Sequence, residues 1–301
     1  MVPEASSQHH MATSNIKYVV ISPVRDEAAH LPRTIESVAR QTVRPVEWII
    51  VNDGSSDKTG AIIDEGTRKF PWLRAIHRSN RGFRKPGGGV VEAFNEGYKA
   101  IQHREWDFLV KLDGDLSFEP DYFQVCFEHF EREPNLGVGG GAVCDLLDGK
   151  LCVEESPAFH VRGATKIYRR ACWDALGGFW PGPGWDTIDE VTAQRLGWRT
   201  RTFRDLRLVQ HRPTGQADGF WRVLVKYGRA NYSAGYHPLF MLCKCGRRLV
   251  HKPYLVGSLG LLYGYVTGYT KRVPRLEDKA TVAYLRQQQL NRLFGAPSIW
   301  R

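Results

Sequence analysis

Four short apolar runs, at residues 17–21, 47–51, 73–77 and 106–112, are too brief for helices and predict strands. Between and after them, residues 31–40, 59–69, 90–102 and 121–131 carry apolar side chains at helical spacing. Strand and helix therefore alternate, which predicts βαβ units and an α/β fold with a mostly parallel sheet flanked by helices. The strand runs are continuously apolar, as expected for a sheet covered on both faces. Ligands of such sheets gather beyond the carboxyl ends of the strands. The residues following Ile21, Val51 and Leu112 are thus the first places to look for chemistry. From Gly137 onward the pattern is less regular, with short helices expected at 170–176 and 188–196 and strands at 199–203 and 206–211. After about residue 215 the chain reads as mainly helical. The expected organisation is a flexible tail at 1–15, an α/β domain at 16–215 and a helical C-terminal extension at 216–301.

Directly after the fourth strand comes Asp113-Gly114-Asp115. Carboxylates at i and i+2 of an extended segment project to one side. Their mutual repulsion is relieved by a cation, and oxygen donors of this kind suit Mg²⁺ or Mn²⁺. The glycine between them leaves room for close approach of the backbone. After the second strand, Asn52-Asp53-Gly54-Ser55-Ser56-Asp57 is a dense turn whose acid can accept hydrogen bonds from a base or ribose. The first strand ends in Ser22-Pro23-Val24-Arg25-Asp26-Glu27. No strand precedes Gly87-Gly88-Gly89, so a dinucleotide fingerprint is missing and nicotinamide chemistry is disfavoured.

In this order the blocks at 20–27, 51–57 and 113–115, together with Trp185-Asp186-Thr187-Ile188-Asp189-Glu190 and Arg195, resemble glycosyltransferase family 2. These are inverting enzymes of the GT-A (Rossmann-like) fold that use nucleotide-diphospho-sugars. The resemblance covers roughly residues 16–215. It implies that Asp53 hydrogen-bonds the nucleobase, with Pro23, Arg25 and Glu27 lining the nucleotide pocket. Asp113 would face ribose or metal, and Asp115 would bind a metal bridging the phosphates. His211 is a candidate third metal ligand, its alternative being an ordinary polar residue. Arg195 keeps the distance from Asp189 that the family's acidic segment has, so the resemblance implies Asp189 as the catalytic base, with Glu190 as its rival. Trp185 is a candidate for stacking on the acceptor, and Arg212, Arg84 and Lys85 are candidate phosphate contacts. The implied function is metal-dependent transfer of a sugar to a hydroxyl of a glycan or lipid-linked saccharide. A non-catalytic nucleotide-sugar-binding scaffold is the alternative.

Composition narrows this further. The 301 residues are 42% hydrophobic and 25% charged, which excludes a disordered chain, a collagen and a polytopic membrane protein. Six cysteines lack framework spacing and the first fifteen residues lack an apolar signal segment, so a cytoplasmic location is expected. The net charge of +10 favours anionic partners. No reading helix or RNA motif is present, so nucleic acid is not the expected partner. Instead, residues 253–270 form an uncharged stretch with basic flanks, at the lower length limit for spanning a bilayer. Tyr254, Tyr263, Tyr265 and Tyr269 suit a headgroup interface, and Gly260, Gly264 and Gly268 suit close helix packing. Peripheral contact with an anionic leaflet at the inner face of the cell membrane is therefore expected, the alternative being a buried core helix pair.

Overall fold

The computed structural model describes residues 16–83, 88–147, 150–153, 156–212, 219–250 and 254–300. The expected tail at 1–15 and the candidate phosphate contacts Arg84 and Lys85 lie outside the described residues. Nine strands and ten helices run along the described chain: β1 (Tyr18–Val24), α1 (Leu31–Ala39), β2 (Glu47–Asn52), α2 (Thr59–Lys69), β3 (Leu73–His77), α3 (Gly88–Lys99), β4 (Phe108–Leu112), β5 (Leu116–Phe118), α4 (Tyr122–Arg132), β6 (Leu136–Leu147), β7 (Lys150–Val153), β8 (Thr165–Arg169), α5 (Arg170–Leu176), α6 (Trp185–Arg195), β9 (Arg199–Gln210), α7 (Phe220–Ser233), α8 (Pro238–Arg248), α9 (Tyr254–Thr270) and α10 (Lys279–Leu293).

One sheet holds all nine strands, in the order β3-β2-β1-β4-β8-β6-β9-β5, with β7 paired to β6. The first four strands are mutually parallel, joined by helical crossovers. Every residue of β1, β2 and β4 is buried, as helices on both faces require. Beyond β4 the sheet turns antiparallel through β8 and β6, returns to parallel at β9, and ends on antiparallel β5. Pairing of β5 with β9 carries Gln210 and His211 to the carboxyl end of β4, where Asp113 and Asp115 begin the next turn.

Strand β6 was hidden in the sequence by Gly139-Gly140-Gly141, which lowers strand propensity. The structure explains them: a Cβ on Gly139 would sit 2.5 Å from Phe203 Cζ, and one on Gly140 would sit 2.8 Å from the Thr165 carbonyl oxygen. Strand β9 is continuous where two strands were expected. A register shift opposite Gly141 and Ala142 absorbs the polar Arg204-Asp205 as a bulge.

In the C-terminal part, α7 and α9 cross with almost no side chain between them. A Cβ on Gly264 would lie 2.1 Å from the Val225 carbonyl oxygen, and one on Gly228 would lie 2.1 Å from that of Leu261. The glycine stripe on α9 is therefore a helix-packing surface. Its opposite face leaves Leu255, Leu259, Tyr263 and Val266 exposed. Among the described residues no helix is long and apolar enough to cross a membrane.

Candidate active site

The carboxyl ends of β1, β2 and β4 open into a cavity of about 2300 Å³ that continues past the first turn of α6 to α7 and α8. Pro23, Arg25, Glu27, Asp53, Asp113 and Asp115 line its sheet end. Arg212 and Trp185 line it as well.

Strand β1 hands the chain to a loop whose side chains are held by partners from other segments. Arg25 donates to Asn80 Oδ1 at 3.0 Å and to the Phe83 carbonyl at 3.1 Å. Arg212 pairs with Glu27 at 2.9 Å and donates to the Asp26 carbonyl at 2.6 Å. Asp53, at the end of β2, accepts from Arg78 and from Arg81. Its carboxylate keeps the Arg81 guanidinium raised above the usual arginine range. Two guanidinium groups thus fix the orientation of the Asp53 carboxylate.

Asp113 and Asp115 are not equivalent. Asp113 is bonded by Lys111 Nζ, which also donates to the Gly163 carbonyl. Asp115 is buried, with Oδ2 accepting from Gln210 Nε2 at 3.2 Å and Oδ1 without any hydrogen-bond partner. Burial, and then the charge of Asp113, push the Asp115 carboxyl up to about 6. A buried oxygen with no donor and a raised proton affinity marks a place that lacks positive charge. The pair fits a divalent cation as hard oxygen donors. The glycine between them packs against β1, since a Cβ there would meet Val24 Cγ1 at 2.7 Å.

His211 does not join them. Its Nε2 lies 2.8 Å from Ser117 Oγ and its ring stacks on that of His30. Burial, with Arg33 and His30 nearby, lowers its pKa. The reason is strand alternation: Gln210 faces Asp115, so its neighbour is directed elsewhere. Among the described residues no three His, Cys, Asp or Glu side chains form a metal cluster.

Asp189 and Glu190 also sit differently from the expectation. Both are wholly buried, and neither lines the cavity. Lys166 Nζ lies 2.9 Å from each Asp189 oxygen and 2.8 Å from Glu190. Tyr168 donates its hydroxyl to Asp189. Glu190 further accepts from the Val161 backbone N–H at 2.7 Å and pairs with His160 at 2.9 Å. Burial opposes the charge on Lys166, but Asp189 and Glu190 outweigh it and raise its pKa. This network clamps α6 to β8. The acid that reaches the cavity is Asp186, one helical turn earlier, whose own carbonyl is also held by Lys166. Spacing alone could not separate Asp186 from Asp189, because i and i+3 lie on neighbouring faces of one helix.

Trp185 has two ammonium groups near its ring, Lys111 Nζ and Lys166 Nζ each 5.6 Å from the centroid. Its ring packs on Phe179 at 4.6 Å, and only 7% of the residue is exposed. Lys111, Lys166, His160 and Gln210 were not singled out from sequence. A lysine inside a buried strand, as at 111 and 166, is the signal that could have found two of them.

Residues 19–179 match the family model described as "Glycosyl transferase family 2". The chain is 31% identical over 122 residues to the "Uncharacterized glycosyltransferase EpsJ" of Bacillus subtilis, covering 40% of this chain and 33% of that one. It is 30% identical over 114 residues to the "Chondroitin synthase" of Pasteurella multocida, covering 38% of this chain and 11% of that protein. The chain thus spans well under half the length of these two relatives. Among solved structures it is similar to the mannosyltransferase PcManGT of Pyrobaculum calidifontis, in complex with GDP-Man and Mn²⁺, with a TM-score of 0.54. That match has 16% identity and covers 93% of this chain and 76% of that one, which is a likeness of GT-A fold. With more than half of its length matched by the family model, the chain belongs to glycosyltransferase family 2.

Proposed function

We propose that the protein is an inverting glycosyltransferase that moves a sugar from a nucleotide-diphospho-sugar to an acceptor hydroxyl. The observation that carries this reading is one cavity lined at one end by Asp53, Asp113 and Asp115 and further along by Asp186. Asp53 and the loop residues Arg25 and Glu27 receive the nucleoside. Asp113 and Asp115 would hold Mg²⁺ or Mn²⁺, which when bound offsets charge on the leaving diphosphate. Arg212, tied to Glu27 at the same rim, supplies a second positive group near the phosphates. Asp186 accepts the proton of the acceptor hydroxyl as that oxygen bonds to the anomeric carbon. The bond from that carbon to the diphosphate oxygen breaks, and the nucleoside diphosphate leaves with the electron pair. One displacement of this kind inverts the anomeric centre and needs no covalent enzyme intermediate. The Lys166 network acts on orientation: it fixes the first turn of α6 and so the direction of Asp186.

Donor selection is tested by incubating the protein with a panel of nucleotide-sugars, with Mn²⁺ or with chelator. The anomeric configuration of any product is then read by proton NMR. Chelator-sensitive turnover with inverted configuration is expected; retained configuration overturns the single displacement. A non-catalytic nucleotide-sugar-binding scaffold would show protection against thermal unfolding and no product.

We place the acceptor at or near an anionic leaflet. Supporting this, the exposed face of α9 is apolar at Leu255, Leu259 and Val266, and residues 219–300 contain thirteen Lys and Arg against two acids. Co-sedimentation with phosphatidylglycerol vesicles, lost in Leu255→Glu/Leu259→Glu, is the expected outcome; equal sedimentation of both proteins removes this placement.

A further inference from the structure

The cavity does not end at Asp186. Beyond it, α7 contributes Arg222, Lys226 and Arg229, which recur at i, i+4 and i+7 on one helix face. Helix α8 contributes Lys244 and Arg247, and α10 contributes Arg292. None of these six forms an ion pair with a carboxylate among the described residues, whereas Arg25, Arg78, Arg81 and Arg212 at the sheet end each have one. The only acids in residues 219–300 are Glu277 and Asp278, and neither lines the cavity. Asp278 is occupied as the cap of α10 and as the partner of Arg195 at 3.2 Å. Arg229 Nε is buried without a hydrogen-bond partner. Lys244 stands 5.2 Å from the Tyr236 ring centroid. Like charges gathered along one cavity wall repel one another, and a bound anion relieves that cost.

Resting on the reading of this cavity as a transferase site, we infer that its α7–α8 chamber is the acceptor subsite and selects an acceptor bearing phosphate or diphosphate groups. Charge complementarity supplies the affinity, since guanidinium and ammonium groups bind phosphate oxygens through charge-assisted hydrogen bonds. Aromatic walls at Tyr236, Phe240 and Trp300 leave apolar surface for the rest of the acceptor. Such a phosphate could belong to a soluble sugar phosphate or to a lipid diphosphate carrier, and both offer the same anion to the chamber.

The test begins with inorganic pyrophosphate, titrated by calorimetry into the full chain with saturating nucleoside diphosphate and Mn²⁺ to fill the donor end. Saturable binding is expected, weakened at least tenfold in Lys244→Gln/Arg247→Gln and weakened by salt. Equal affinity in the double variant overturns the inference. Arg222→Gln is the second variant, and circular dichroism establishes that each variant is folded. Transfer assays then compare one saccharide with and without a terminal phosphate. The phosphorylated acceptor is expected to have the lower KM, with the advantage lost in the double variant; equal KM values overturn the inference. Supplying the phosphate on a soluble sugar or on a lipid diphosphate in neutral vesicles separates the two sources. Loss of vesicle binding in the double variant with pyrophosphate affinity unchanged assigns the cations to the leaflet instead and refutes the chamber. Absence of any nucleotide binding would refute the transferase reading while leaving the pyrophosphate result to stand alone.

Discussion

Asparagine at position 189 separates an anchoring role from a chemical one. Lys166, Asp189 and Glu190 form a buried ionic set, which the half-buried His160 on the cavity wall joins through Glu190. Lys166 side-chain exposure is 0% and that of Asp189 is 1%. Burial pushes the Asp189 carboxyl up, but Lys166, equidistant at 2.9 Å from both oxygens, keeps the proton on the amine. Asp189→Asn takes the carboxylate away from the buried Lys166 ammonium, which costs about 3–5 kcal/mol. For a chain of 301 residues that corresponds to a Tm lowered by roughly 5–8 °C. Asp186→Asn alters a half-buried side chain that faces the cavity, so its stability cost is about 0.5 kcal/mol or less. Loss of a general base there lowers transfer about 10²- to 10⁴-fold. Thermal unfolding by circular dichroism and a nucleotide-release assay, run on both variants, give the comparison. An Asp189→Asn protein with unchanged Tm and no transfer, beside a fully active Asp186→Asn, would refute the assignment of roles.

Two further outcomes follow from packing and charge. Gly264→Val drives a branched side chain into the Val225 carbonyl oxygen and should cost about 3 kcal/mol, whereas Gly246→Ala, with nothing within 4 Å of its Cβ, should leave the Tm unchanged or slightly raised; denaturant midpoints check both. Burial lowers the His160 pKa, but Glu190 outweighs it, so the folded value lies above the ordinary 6.5. The pair's stabilisation is therefore complete below the unfolded pKa and fades as pH rises through the folded one. The gap in stability between wild type and His160→Gln should be about 2 kcal/mol near pH 6 and smaller near pH 9; a gap that grows with pH contradicts the pairing.

The parallel half of the sheet was readable because its strands are buried on both faces and bounded by turn residues. Residues 18–24, 47–52 and 108–112 end where chemistry-bearing residues begin, so Asp53, Asp113 and Asp115 were placed by periodicity and position together. What was not readable depends on contacts across the fold. Gly139-Gly140-Gly141 reads as a loop until Phe203 and Thr165 are seen against it. His211 lost its expected place to Gln210 because one residue of register decides which side chain faces Asp115. Asp189 and its rival Glu190 are read as candidate bases in the sequence because nothing local shows the buried Lys166 that binds both. The basic chamber joins cations from three helices that lie far apart along the chain, so no local pattern announces it.

Calorimetric titration of nucleoside diphosphates into the wild-type protein and Asp115→Asn, each with and without Mn²⁺, addresses the metal-bridged donor site most directly. Wild type should bind at least tenfold more tightly with Mn²⁺, and Asp115→Asn should lose that increment while keeping its fold and its weak metal-free affinity. Binding that is indifferent to Mn²⁺ in the wild type, or equally enhanced by it in the variant, would contradict the assignment of Asp113 and Asp115 to the cation.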